Sequence, residues 1–157
     1  MIRTRSTLTL VAAAAATGLA LSACSGDDVE TKPETAVNAV VQQHAEAIAA
    51  IAGQTLQNPN LLSRGCTGRA GETSKSIYTV QGVYNLPAPT AEGHLDVIAR
   101  IRADWKAKGY TITDDRTVGP DDGVVAAKTP DGYQLDIERG EPKGFAVFVD
   151  SPCYERP

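Results

Sequence analysis

Between Val124 and Val149 the chain alternates apolar and polar residues in short runs, and turn signals separate the runs. Tyr133, Leu135 and Ile137 alternate with Gln134, Asp136 and Glu138, which predicts a half-buried strand. Thr129-Pro130-Asp131-Gly132 precedes it. Pro presets φ at the second position of a turn and Gly accepts positive φ, so the chain reverses there. Gly140 to Gly144 turns it again, before a strand on Phe145, Val147 and Val149. Val124 to Lys128 predicts the strand that enters the first turn. Connections this short can join only antiparallel neighbours.

Upstream, the spacing changes to that of helices. Thr31-x-x-Glu34 with Pro33 predicts a helix start. Val37, Val40, Val41, His44, Ile48 and Ile51 follow at helical intervals, and Gly53 predicts the stop. Thr90 is the expected cap of a second helix over 91–108, with Leu95, Ile98, Ile101 and Trp105 on one face and Gly109 after it. Ser74 to Tyr84 and Tyr110 to Thr113 predict two further strands. Gln54 to Thr73 holds Asn58-Pro59-Asn60, Gly65, Gly68 and Gly71 and reads as a long irregular connection. Asp114 to Gly123 reads as an acidic turn. The fold expected is α+β: a two-layer sandwich with an antiparallel sheet of about five strands and two helices packed on one face. It forms one domain over 33–157.

The first 23 residues have a different logic. Arg3 and Arg5 form a basic start, and the apolar run from Leu8 to Leu21 is shorter than the roughly 18 residues needed to span a bilayer. This is the layout of a secretory leader rather than of a fold element. Leu21-Ser22-Ala23-Cys24 resembles the bacterial lipoprotein cleavage box. The resemblance implies cleavage between Ala23 and Cys24, with a diacylglyceryl group on the Cys24 thiol. An ordinary secretory leader, with Cys24 a bystander, is the alternative. Two acyl groups make a stable anchor where one is marginal. The expected location is therefore the outer face of the cell membrane. Residues 24–32 then serve as lipidated Cys and flexible tether, and the eight after Cys24 span on the order of 16 Å.

Loss of the leader removes Arg3 and Arg5 and no acid, so the mature chain is more acidic than the net charge of −4 of the full sequence. Such a surface repels phosphate backbones, which argues against nucleic acid as a partner. An apolar share of 42% excludes a wholly disordered chain.

With Cys24 lipidated, Cys66 and Cys153 remain, and an oxidising destination favours their pairing. The alternative is a nucleophilic thiol that His44 or His94 would activate. Neither His has a recognisable setting: His44 lies on the apolar stripe of the first helix and His94 in the first turn of the second. No metal-ligand spacing is present, and no cofactor motif. Asp114, Asp115, Asp121 and Asp122 could bind a cation but lack the spacing of a calcium loop. Asp136 and Glu138 share one strand face, opposite Leu135 and Ile137, and read as an exposed polar face rather than a catalytic pair. Tyr78, Tyr133, Phe145 and Phe148 are the candidate lining of a small apolar cleft between sheet and helices.

Trp105-x-x-Lys108-Gly109-Tyr110, Thr129 to Tyr133 and Ser151-Pro152-Cys153, in this order, resemble small secreted lipoproteins of actinobacteria. That resemblance implies an envelope-anchored α+β domain with a disulfide and supplies no active-site residue. The expected function is a non-enzymatic binding or accessory module at the cell envelope, partnered by the membrane and by an envelope protein or small ligand. The alternatives are a carrier of a small apolar ligand or lipid, and an envelope enzyme that uses carboxylates.

Overall fold

The structure, a computed structural model, describes residues 29–67, 71–141 and 143–157. The leader, Ala23 and Cys24 lie outside the described residues. Elements follow in the order α1 (Glu34–Ala52), β1 (Gln57–Thr67), β2 (Thr73–Leu86), α2 (His94–Ala107), β3 (Thr111–Thr117), β4 (Gly123–Lys128), β5 (Gln134–Gly140), β6 (Gly144–Asp150) and β7 (Tyr154–Glu155). The fold is α+β, and its strands form one antiparallel sheet of seven rather than about five. The order is β1-β2-β6-β5-β4-β3, with β7 beside β2. No helix of the described residues is long and apolar enough to cross a membrane.

Both helices pack against one face of the sheet. Val37, Val41 and Ile48 of α1 and Ile98, Ile101 and Trp105 of α2 are buried there. The alternate strand residues Tyr78, Val80, Tyr84, Leu135, Ile137, Phe145, Val147 and Val149 meet them. Gly53 closes α1 at a φ of 67°, a left-handed cap that side chains resist. Thr31 is not a cap: it forms a bridge with Glu155, and Pro33 stands at the helix N-cap. Gly93 rather than Thr90 precedes α2, where the Asp96 carboxylate accepts the Gly93 N–H at 3.2 Å.

The two added strands lie on either side of β2. β1 occupies most of the segment expected to be irregular. It is the edge of the sheet, which tolerates Pro59, and its register shifts between Gln57 and Asn60, where Asn58 takes a φ of 49°. β3 likewise continues through Asp114 and Asp115 to Thr117, so the acidic turn is shorter than expected.

β6 pairs with Gln81–Leu86 of β2, and β7 pairs with Ile77 and Tyr78 on the same edge. Between them Pro152 has no N–H to offer, and Ser151 bridges the gap. Its N–H donates to the Val80 carbonyl at 2.9 Å, and its Oγ accepts the Val80 N–H at 2.9 Å. Cys153 then joins Cys66 of β1 in a disulfide with a Cα separation of 6.3 Å. The chain is tied down before residue 33. The Lys32 N–H donates to the Glu155 carbonyl, and the Glu155 N–H donates to the Glu30 carbonyl, each at 3.0 Å. Residues 30–32 of the expected tether therefore lie against β7.

Candidate functional site

Because the helices take one face of the sheet, the other is left without a covering layer among the described residues. Cross-strand pairing sets Asp114, Ala126, Asp136, Phe148, Val83 and Asn60 in one row across it. Glu138, Ala146 and Asn85 form the next row. Gln134, Asp150, Gln81 and Leu62 form the row on the other side. Ala126, Val83 and Phe148 are half-buried, and Leu62 is 49% exposed, so the face carries an apolar strip.

Asp136 stands in the middle of that strip. It is half-buried rather than exposed, and its Oδ1 is shielded from solvent with no hydrogen-bond partner among the described residues. Burial raises its carboxyl from an ordinary value of 3.8 to about 6, and the nearby charges of Glu138, Asp114 and Asp150 push the same way against Arg116. An acceptor left unpaired in such a place costs about 1–3 kcal/mol.

A carboxyl whose folded pKa is raised contributes stability below its unfolded pKa and loses it as pH rises through the folded value. Full burial would convert this rise to about 3 kcal/mol. With the carboxyl half-exposed, solvent screening brings it to about 1 kcal/mol. Asp136→Asn should therefore raise the melting temperature by a few degrees at pH 7.5 and leave it unchanged at pH 4. Thermal melts across that range check it, and a lower melting temperature at pH 7.5 would contradict it.

Beside the strip, Arg64, Cys66, Thr79, Gln134, Asp150 and Ser151 line a polar hollow of about 570 Å³. Arg64 holds Asp150 at 3.2 Å and the Gln81 amide donates to the same carboxylate at 3.0 Å. The disulfide forms one wall of the hollow.

Comparison with protein-family models, with curated proteins and with solved structures finds no match for this chain.

The four aromatic residues expected to line a cleft do not meet in one. Tyr78, Tyr133 and Phe145 are buried in the packed core, while Phe148 lies on the uncovered face. The Tyr78 hydroxyl donates to the Lys32 carbonyl at 2.8 Å. His44 packs its ring 4.9 Å from Tyr133, and burial lowers its pKa. His94 packs 4.8 Å from Phe145, with Nε2 at 2.8 Å from the Lys143 carbonyl, and so fastens α2 to the β5–β6 turn.

Three of the four expected cation-binding acids go to separate arginines. Asp114 pairs with Arg116, Asp115 with Arg102 and Asp122 with Arg139. No group of three or more His, Cys, Asp or Glu able to hold a metal occurs among the described residues. The pattern of β5 revealed which way Asp136 points. Its burial depends on Phe148 and Ala126 from two other strands, and no local signal carries that.

Proposed function

We propose that this protein is a lipid-anchored, extracytoplasmic binding module without enzymatic activity, which docks a partner protein on the uncovered sheet face. The observation that carries the reading is the half-buried Asp136 carboxylate, one oxygen shielded and unpartnered among the described residues, between Phe148 and Ala126 with Val83 beyond Phe148. A Lys or Arg of a partner satisfies both halves of that arrangement. Its alkyl stem lies on the apolar strip and its charged end donates to Asp136. Glu138 on the same face adds a second negative charge with no ion pair among the described residues. The resemblance of Leu21-Ser22-Ala23-Cys24 to a lipoprotein cleavage box supports the location, because a lipidated Cys24 would hold the domain at the membrane surface.

The test uses a photo-crosslinking residue placed at Gln134, exposed at the rim of this face, or at Gln43, exposed on α1. In intact cells one envelope protein should crosslink from position 134 and not from 43. Asp136→Lys should abolish it. Equal capture from both positions, or capture that survives the charge reversal, rejects the docking surface. Cys24→Ala should move the protein out of the membrane fraction or leave an uncleaved precursor. Unchanged fractionation and migration reject the anchor.

The pair Asp136 and Glu138 favours one second reading, general acid–base chemistry, since a carboxyl with a pKa of about 6 is poised to exchange protons near neutrality. The two readings part at Phe148→Ala, which removes the apolar contact and neither carboxylate. Docking should weaken at least about tenfold, whereas acid–base chemistry retains its groups.

A further inference from the structure

The sheet ends at β1 on one side and at β3 on the other, and the two edges are built differently. An edge strand offers unpaired N–H and C=O groups to any other extended chain, so proteins protect it. β1 is protected. Pro59 offers no N–H, Asn58 bends the strand at a φ of 49°, and the register shifts near both ends. β3 holds no Pro, and its one register shift lies near its start, between Ile112 and Asp114. From Asp114 to Thr117 it runs in regular register with β4. No other backbone reaches its outer side among the described residues.

Charge decides what that edge can accept. Asp114 and Arg116 stand on the uncovered face, where they pair at 2.9 Å. Asp115 stands on the helix face and pairs with Arg102 of α2 at 3.0 Å. Both signs therefore occupy one face of the edge, two residues apart. A strand carrying one sign there would repel its own copy, whereas this one complements itself when reversed.

We propose that β3 pairs antiparallel with β3 of a second copy of this chain, about a twofold axis at Asp115. The register follows from the charges. Residues opposed across antiparallel strands share a face, so the axis passes through one residue, perpendicular to the sheet. At Asp115 it sets each Asp114 against the Arg116 of the other copy. The two Asp115 then oppose each other on the helix face, but each already holds an Arg102, so the four charges there balance. An axis at Asp114 would oppose two carboxylates on the uncovered face, and one at Arg116 two guanidinium groups. The axis at Asp115 leaves both uncovered faces on the same side, so the row that holds Asp136 runs on into the second copy. The assembly closes at two copies, because the β1 edge remains blocked. It stands apart from the docking reading and needs neither Asp136 nor Phe148.

Two differently tagged copies of the full chain, expressed together in intact cells, test the pairing by co-purification in mild detergent. Wild-type copies should co-purify. Asp114→Arg in both copies, or Arg116→Asp in both, should lower the yield about tenfold, since two attractive cross-strand pairs become repulsive. Asp114→Arg in one copy and Arg116→Asp in the other should restore it. Each Arg then meets an Asp of the other chain, while the pair within each chain stays broken. A loss of folding or a bridging protein would not give that rescue. In a second measurement, Asp115→Cys should crosslink copy to copy under mild oxidation, and Asn60→Cys, exposed on the β1 edge, should not. Absence of wild-type co-purification, indifference to the single substitutions, a mixture no better than either variant alone, or equal crosslinking from 115 and 60 overturns the pairing.

Discussion

Cys66→Ser will lower the melting temperature by on the order of 15 °C. The disulfide joins residues 87 positions apart, so opening it frees a loop of most of the domain in the unfolded chain. Loop-closure entropy for that length corresponds to about 4–5 kcal/mol. The folded side of the balance changes little. β1 stays paired along β2, and Ser151 stays bonded to Val80 on both its N–H and its Oγ. The effect is therefore on the unfolded ensemble, and the native contacts of Cys66 are a minor part of it. Trp105, the single tryptophan and 1% exposed, reports unfolding by fluorescence. Wild type treated with dithiothreitol should melt together with Cys66→Ser, and Cys153, which is exposed, should become open to alkylation. A shift below about 3 °C would mean that the unfolded chain is held compact by something other than this bond.

The same two cysteines show what the sequence could and could not convey. Their pairing follows from their number and from the oxidising compartment that the leader leads one to expect. Their purpose followed only from topology: the bond crosses β2, from the edge strand β1 to the segment between β6 and β7. β1 itself was hidden. An edge strand with little apolar burial has no reason to alternate, and Asn58-Pro59 and Gly65 look like turn residues until β2 is beside them. β7 was hidden for another reason: at two residues it is defined only by the strand it joins. By contrast, β5 and β6 were readable because one side of each is packed against helices and the other is not. In α1 and α2 the apolar stripes were readable for the same reason, although the small residues Ala45, Ala49 and Ala52 complete the buried face of α1.

The candidate sites were less legible than the fold, for a physical reason. The alternation of β5 places Asp136 on the face opposite Leu135 and Ile137, yet its unusual state comes from half-burial beside Phe148 and from the charges of Asp114 and Asp150 on other strands. That β3 is an edge is likewise a property of the whole strand order. A local pattern reports one element's inside and outside. It does not report which polar atoms lose water when three elements converge.

Trp105→Ala will cost about 3–5 kcal/mol, the range for deleting a large aromatic side chain from a core. Trp105 ends the stripe of Ile98 and Ile101 by which α2 packs on β4 and β3. The positions of β4 facing α2 carry short side chains, Val125 and Ala127, which cannot extend into the vacated space. The cost therefore includes a void as well as lost burial. Trp105→Phe, which keeps a ring, should lose roughly half as much. Because the variant has no tryptophan, its unfolding is followed by far-ultraviolet circular dichroism. The bridge acts on the unfolded chain and Trp105 on the core under α2, so the two losses should add. Together they remove about 7–10 kcal/mol, comparable with the whole stability of a domain of this size. Each single variant should be folded at 25 °C and the double variant unfolded. A folded double variant would show that the domain rests less on α2 packing or on the bridge than its geometry implies.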